Sequence, residues 1–267
     1  MGELVLVGLG LYDERGISLA GLEETTTADY VFMEAYTSLM AGLRIEKLED
    51  LVGKEIELVS RNMLEEGNGE EILAASLKGK TVLLVPGDPL IATTHVNLRL
   101  NAKDRDIETR IIHGASIISA AIGLSGLQNY KFGKSVSIPY AEVGAVPETP
   151  YMVIKMNLQS GLHTLCFLDI IAEREKYMTI EEGLNALLAI GKRRKDSVIT
   201  ENTLVVGIAR AGSNKPVVKA DRLEKLLEYD FKGPPHTLIF PSRLHFIEAE
   251  ALVRLASAPE SVRELGK

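Results

Sequence analysis

The segment of the sequence whose residue types point most directly to chemistry is VPGDPLIATTH, from Val85 to His95. Its two prolines fix a rigid turn around a Gly-Asp pair, directly after a strongly apolar run. Because ligands in open α/β sheets bind at the carboxyl ends of the strands, this turn would present the carboxylate of Asp88 to a ligand. An aspartate in such a place also serves as a simple turn former or helix N-cap. We weigh ligand binding above that role because the prolines add rigidity and Thr93 and Thr94 add hydroxyl groups.

A second candidate is the glycine-rich turn GLGLYD, from Gly8 to Asp13. Glycines let the backbone turn sharply and approach a ligand closely. Position 13 is aspartate and not the third glycine of the dinucleotide fingerprint, so binding of NAD has poor support. Taken by itself, the segment fits a plain tight turn as well as it fits a ligand contact.

Further candidates place small or polar residues where a strand ends or begins. From His113 to Ala121 a strand end enters a helix of small residues, whose first turn could offer backbone donors to a ligand or could simply pack closely on the sheet. His236 follows two prolines, although a single histidine is more often packed or exposed than catalytic. The remaining segments of this kind are Leu168-Asp169, Ala209 to Ser213 and Gly233 to Thr237.

The sequence lacks the signature motifs of several enzyme classes. The five histidines and the single cysteine have no metal-ligand spacing, which argues against a zinc site. No nucleophile elbow, phosphate-binding P-loop or kinase signature is present. Cys166 lies in the apolar run TLCFL, so we expect a buried and inert thiol.

Composition indicates a globular protein that does not bind nucleic acid or cross a membrane. The 267 residues are 46% hydrophobic and 25% charged. A net charge of -7 argues against a surface for phosphates, and the basic run from Lys192 to Lys195 fits a solvated helix end. No basic leader precedes the first apolar run and no stretch is long enough to span a bilayer, so we expect a soluble cytoplasmic protein.

Short aliphatic runs alternate with amphipathic segments, which predicts crossover helices on mostly parallel sheets. A stretch rich in Pro and Gly after Tyr130 interrupts the pattern, so we expect α/β domains at 1–115 and 116–267, with the boundary between 113 and 135. Capping boxes at Thr179 with Glu182 and at Asp221 with Glu224 predict two helix starts. The predicted strands are 4–7, 29–33, 81–85, 107–112, 135–138, 164–169, 203–209, 217–219 and 237–240, with a hairpin joining 203–209 and 217–219. The predicted helices are 19–27, 40–51, 70–77, 93–103, one from 116, 152–160, 180–190, 222–229 and 246–255.

Together the candidate segments resemble the tetrapyrrole methylase family, whose members share a glycine-rich first turn, a Gly-Asp-Pro loop and a later helix start of small residues. The resemblance spans both halves of the chain. Within the family it is strongest to members that modify a histidine of translation elongation factor 2. The segments that carry this likeness are Gly8 to Glu14, Glu34 to Leu39, Pro86 to His95, Tyr130 to Ser135, Gly161 to Thr164, Ala209 to Ser213 and Pro234 to His236.

The resemblance implies two α/β domains of the tetrapyrrole methylase type, a mostly parallel N-terminal sheet, a mixed C-terminal sheet and a donor site in the cleft between the domains. It implies a homodimeric methyltransferase that uses S-adenosylmethionine. The implied acceptor is the amino group of an aminocarboxypropyl-modified histidine of elongation factor 2, which becomes diphthine in diphthamide biosynthesis. The implied donor contacts are Leu11, Asp88, Ile91, Ser116, Ile117, Leu168, Ala211 and His236, and no residue is implied as catalytic.

Other interpretations remain open. The chain could methylate a tetrapyrrole or precorrin, or it could be a module that binds S-adenosylmethionine without catalysis. A nicotinamide-dependent oxidoreductase would bind its nucleotide at Gly8 and Gly10. Tyr36 and Tyr12 are candidates for cation-π contact with a methylated ammonium, and ordinary packing explains them equally well.

Overall fold

The computed structural model describes residues 2–141, 144 and 146–266. It divides into two compact units. The first unit comprises Met1–Ile117 and Ala172–Arg174, and the second comprises Ile118–Ile171 and Glu175–Lys267.

The first unit contains a parallel five-stranded sheet of order β3-β2-β4-β1-β5. Its strands are β1 (Glu3–Gly8), β2 (Tyr30–Glu34), β3 (Glu57–Val59), β4 (Lys80–Val85) and β5 (Glu108–Ile112). Its helices are α1 (Leu19–Thr26), α2 (Ile45–Val52), α3 (Glu70–Ser76) and α4 (Val96–Lys103). A central parallel strand is covered on both faces, which is why β1 and β4 read as unbroken apolar runs.

The helices of this unit cover both faces of the sheet. Leu4 and Leu6 of β1 pack with α3 and α4, while Val5 and Val7 pack with α1 and α2. The connection from β1 leads toward one edge of the sheet and that from β4 leads toward the other. The helices that follow these adjacent strands, α1 and α4, therefore lie on opposite faces, which is the topology that places a ligand-binding crevice at the carboxyl ends of the strands.

The second unit contains a mixed five-stranded sheet of order β11-β10-β12-β7-β6, in which only β6 and β7 are parallel neighbours. Its strands are β6 (Val136–Ile138), β7 (Thr164–Leu168), β10 (Leu204–Ala209), β11 (Val217–Arg222) and β12 (His236–Phe240), with a separate ribbon of β8 (Ile170–Ile171) and β9 (Lys176–Tyr177). Its helices are α5 (Ile117–Ser125), α6 (Thr149–Gln159), α7 (Ile180–Arg194), α8 (Leu223–Leu227) and α9 (Phe246–Leu255).

The predicted strands are all present, and the hairpin that joins β10 to β11 is confirmed. Three short strands were not predicted: β3 has only three residues with Glu57 and Leu58 exposed, and β8 and β9 have two residues each, so none forms an apolar run. Helix α4 begins at Val96 and not at the predicted position 93, because residues 91–94 form bends and His95 a turn. Helix α2 begins at Ile45 and not at position 40, since Gly42 donates its N–H to the carbonyl of Tyr12 in a preceding turn.

One predicted capping box is confirmed and the other is wrong. Thr179 and Glu182 exchange both hydrogen bonds at the start of α7. Asp221 instead lies within β11, where its carboxylate pairs with Lys219 and accepts the N–H of Arg222. An unpredicted capping box lies at the start of α9. There the ring of His245 takes the place of the usual hydroxyl, and the side chain of Glu248 accepts a hydrogen bond from the backbone N–H of His245.

No helix within the described ranges has the length and apolar character needed to cross a bilayer.

Candidate functional site

The loops after β1 and β4 remain paired beyond the ends of their strands. Leu9 donates its N–H to the carbonyl of Val85 at 2.8 Å. Gly10 and Gly87 then exchange two backbone hydrogen bonds, of 3.2 Å and 2.7 Å, in an isolated antiparallel bridge. Both glycines have positive φ, 77° and 74°, a conformation that glycine adopts without strain. The glycine-rich turn and the Gly-Asp-Pro loop, which the sequence offered as two separate candidates, are thus hydrogen-bonded to each other at the carboxyl edge of the sheet.

A third loop, which follows β5, packs against these two loops at a glycine, Gly114. A Cβ atom on Gly114 would lie 2.2 Å from the carbonyl oxygen of Gly87, and one on Gly8 would lie 2.5 Å from the backbone nitrogen of Gly114. Backbone therefore packs on backbone, and no side chain fits between these loops. A Cβ on Gly87 would meet nothing within 4 Å, so open space lies beside the loop that carries Asp88.

The carboxylate of Asp88 is buried at this edge, with 7% of the residue exposed. Its Oδ1 accepts the N–H of Leu90 at 3.1 Å, and its Oδ2 lies 2.7 Å from Nδ1 of His113. Since a carboxylate oxygen accepts, His113 carries its hydrogen on Nδ1 here. Each carboxylate oxygen can accept further hydrogen bonds, so Asp88 remains able to bind a ligand donor.

Four other predicted residues lie in the loops of this edge or next to them. Leu11 is half-buried in the turn after Gly10, and Ile91 is exposed in the loop that follows Asp88. Ser116 is half-buried just before α5, and Ile117 is the first residue of that helix. The predicted residues of the first unit therefore come from the loops that follow three neighbouring strands, β4, β1 and β5.

The predicted residues of the second unit share an edge of its sheet. Leu168 ends β7, and His236 begins β12, which runs antiparallel to β7. Ala209 ends β10 and pairs directly with His236, which places Ala211 just beyond that pair. Arg210 holds the turn in place, because its N–H bonds to the carbonyl of Pro235 at 2.8 Å and its guanidinium donates to the carbonyl of Phe231 at 2.9 Å.

His236 is a neutral histidine with one nitrogen uncommitted. Its Nδ1 accepts the N–H of Ile180 at 3.3 Å, so the hydrogen is on Nε2. Burial lowers the pKa of His236, and the nearby backbone of Lys232 and Gly233 opposes this only in part. Nε2 is buried and has no hydrogen-bond partner within the part of the chain that the structure describes. A buried N–H without a partner is costly unless a ligand or water accepts it.

The two tyrosines considered for cation-π contact lie in packed surroundings. Tyr36 is buried, its hydroxyl has no hydrogen-bond partner among the described residues, and burial raises its pKa. The guanidinium of Arg61 lies 5.2 Å from its ring centroid. The ring of Tyr12 packs on Gly42, where a Cβ would lie 2.5 Å from a ring carbon. Each ring is therefore already in contact with the chain itself.

Sequence reasoning passed over His113, which the structure brings to Asp88. The sequence separation of 25 residues hides the contact. The structure brings the two together because β5 and β4 both flank β1 in the sheet, an order that neither segment shows by itself. The expected burial of Cys166 is confirmed, and burial raises the pKa of its thiol.

The family model for Tetrapyrrole (Corrin/Porphyrin) Methylases matches residues 3–227 of the chain. The chain belongs to the tetrapyrrole methylase family. This membership accounts for the two sheets and for the Gly-Asp-Pro loop at the edge of the first, and it makes the chain an S-adenosylmethionine-dependent methyltransferase.

Relatives within the family match the chain along its whole length. A diphthine synthase of Methanosarcina acetivorans is 50% identical over 266 residues, which cover 98% of each chain. A diphthine synthase of Methanococcoides burtonii is 49% identical over 266 residues, again 98% of each. A crystal structure of diphthine synthase superposes with a TM-score of 0.88 at 42% identity, covering 98% of this chain and 99% of the other.

Taken separately, the edge of each sheet holds a group whose chemistry matches a part of the methyl donor of this family. S-adenosylmethionine carries a cationic sulfonium and amino group, a carboxylate, a ribose and an adenine. The buried carboxylate of Asp88 suits the cationic end, and the uncommitted N–H of His236 suits an acceptor atom. The open space beside Gly87 lets a ligand approach the backbone.

Proposed function

We propose that this chain transfers methyl groups from S-adenosylmethionine to the amino group of the aminocarboxypropyl-modified histidine of translation elongation factor 2, giving diphthine in diphthamide biosynthesis. The observation that carries the proposal is the full-length similarity, near 50% identity, to proteins named diphthine synthase. The similarity extends along 98% of both chains, so it is not confined to the loops proposed to bind the donor.

The donor contacts of this proposal come from both units. In the first unit they are Leu11, Asp88, Ile91, Ser116 and Ile117, and in the second they are Leu168, Ala211 and His236. The clustering of each set at one sheet edge supports the assignment. We assign Asp88 to binding the cationic end of the donor, since a buried carboxylate is stabilised by a cation beside it.

The donor supplies a methyl group already activated by the sulfonium charge, so the protein's main task is alignment. Asp88 is suited to that task because it lies in a turn fixed by two prolines and is held by the N–H of Leu90 and the ring of His113. The acceptor amine must be deprotonated to attack. Desolvation at the site favours its neutral form, and no residue is assigned as a general base.

We further propose that the enzyme is a cytoplasmic homodimer, since its protein substrate acts in translation and the family resemblance implies a dimer. The division into domains at 1–115 and 116–267 also belongs to this proposal. Light scattering on the purified protein would give the oligomeric state directly, and a monomeric mass at micromolar concentration would contradict the dimer.

The decisive experiment incubates the purified chain with methyl-labelled S-adenosylmethionine and elongation factor 2 that carries the modified but unmethylated histidine. Mass spectrometry of the acceptor should show methyl groups on that residue. Elongation factor 2 with the unmodified histidine should take up no label. The variant Asp88→Asn serves as the matched enzyme control and should transfer more slowly at limiting donor.

The same assay separates the competing functions. Transfer to a precorrin and not to elongation factor 2 would identify a tetrapyrrole methyltransferase. Donor binding with transfer to neither acceptor would identify a non-catalytic module. Binding of NAD in a titration would favour an oxidoreductase, which the aspartate at position 13 makes unexpected.

A further inference from the structure

Tyr140 of the second unit has a cation on the face of its ring. The ammonium nitrogen of Lys176 lies 3.7 Å from the ring centroid. Attraction between a cation and the face of a tyrosine ring extends to about 6 Å, so this contact is well within range. Lys176 is an exposed residue of the β8–β9 ribbon, and a ligand cation could replace its ammonium without unfolding a core.

Two carboxylates hold Tyr140, one through its backbone and one through its hydroxyl. Its backbone N–H donates to Oδ2 of Asp169 at 2.8 Å, and its hydroxyl donates to Oε2 of Glu182 at 3.3 Å. Burial and the two negative charges raise the pKa of Tyr140, so it remains a neutral phenol. The place above the ring thus combines an aromatic face with nearby negative charge, and both features favour a cation.

This ring lies at the edge of the sheet that carries the proposed donor residues. Ile138, the last residue of β6, pairs in parallel register with Leu168, the last residue of β7. Tyr140 follows Ile138 by two residues, and Asp169 follows Leu168 directly. The Tyr140 ring is therefore anchored one strand away from a proposed donor contact.

The proposed acceptor becomes a methylated ammonium, which an aromatic ring can bind. In each transfer the amine lone pair forms the new N–C bond while the C–S bond breaks and its electron pair stays on sulfur, so the nitrogen acquires a positive charge. Before a further transfer that nitrogen must lose a proton to water. As methyl groups replace N–H groups the cation loses hydrogen-bond donors, and an aromatic face becomes its natural partner.

We propose that the Tyr140 ring, with Asp169 and Glu182 beside it, binds the methylated ammonium of the acceptor in the place that the Lys176 ammonium takes in this structure. The inference rests on the proposed function, because it needs an acceptor that becomes a methylated ammonium. Tyr140 is then a binding residue that keeps the partly methylated acceptor at the site between transfers.

A direct binding test uses tetramethylammonium chloride as the probe, titrated with the full chain and followed by the NMR signal of the probe's own methyl groups, which is available for every variant. Wild type and Tyr140→Phe should bind it, Tyr140→Leu should bind about 3- to 30-fold more weakly, and Lys176→Gln should bind more tightly. The variant Tyr130→Leu, at a tyrosine that is 73% exposed, is the matched control and should behave as wild type. Equal binding by wild type and Tyr140→Leu, with both folded by circular dichroism, would overturn the proposal.

An activity test reads the products on elongation factor 2 by mass spectrometry. In Tyr140→Leu the species with fewer methyl groups should accumulate, while donor affinity by calorimetry stays at the wild-type value. Lys176→Gln should lower the KM for the acceptor. An unchanged product distribution in Tyr140→Leu would count against the subsite. If wild type itself transferred no methyl group, the proposed function would fail, and the tetramethylammonium titration would still decide whether the ring binds such cations.

Discussion

Oδ2 of Asp88 lies 2.7 Å from Nδ1 of His113, which joins the loop after β4 to the end of β5. The two residues differ sharply in exposure, since the side chain of Asp88 is 7% exposed and that of His113 is 72% exposed. The histidine therefore acts as an outer support for a buried carboxylate.

Replacing Asp88 by Asn should weaken donor binding and leave the fold intact. The amide still accepts the N–H of Leu90 but has no charge to offer a cation. Loss of one charge-assisted hydrogen bond corresponds to about 10- to 100-fold in Kd. Calorimetric titration with S-adenosylmethionine measures it, with Asp104→Asn as a control on an exposed aspartate at the end of α4. Wild-type affinity in Asp88→Asn would refute the assigned role.

Replacing His113 by Phe should lower donor affinity less, by about 3- to 10-fold, because it removes the support of Asp88 and not the charge itself. The loss in the double variant should be smaller than the sum of the two single losses, since both act on one interaction. Additive losses in calorimetry would show that His113 acts independently of Asp88.

Replacing Gly114 by Ala should destabilise the protein and weaken donor binding together. The added Cβ would lie 2.2 Å from the carbonyl oxygen of Gly87, so the loops must separate, at a cost of about 1–3 kcal/mol. The control is Gly123→Ala in α5, where a Cβ meets nothing within 4 Å and alanine should stabilise the helix by up to about 1 kcal/mol. Urea unfolding of both variants gives the comparison, and equal effects would contradict the close backbone packing.

Glu248 should make the stability of the second unit depend on pH. It is fully buried, and burial would raise its pKa, but hydrogen bonds from the backbone of His245 and Gln128, from Lys131 and from His163 outweigh burial and lower the pKa from 4.5 to about 2. His163 donates through Nε2 as a neutral ring, since its Nδ1 accepts the N–H of Ser242 and burial lowers its pKa.

A depressed carboxylate pKa stabilises the fold above the unfolded value of 4.5, and the stabilisation is lost as the pH falls from there toward about 2. At pH 7 the free energy of unfolding of Glu248→Gln should therefore be about 3 kcal/mol lower than that of wild type, and this difference should shrink below pH 4.5. Urea unfolding at pH 7 and pH 4 measures it, beside Glu228→Gln, an exposed control. A difference that stays constant with pH would argue against the charged network.

The local elements followed from residue patterns because each rests on contacts close in sequence. The runs of β1 and β4 are apolar throughout since both faces are covered, and Thr179 with Glu182 marks a helix start through bonds across three residues. The same local logic was wrong at Asp221, where pairing of β11 with β10 takes the residue into a strand. Strands of two or three residues leave no pattern to read.

The sequence by itself determined the fold class, the family resemblance and the segments that we propose to bind the donor. Only the tertiary structure decided which of these segments meet: Gly8, Gly87 and Gly114 backbone to backbone, and Asp88 with His113. It also placed the ammonium of Lys176 on the face of the Tyr140 ring. Such pairs join residues far apart in the chain, and strand order, which no single segment encodes, sets their distance.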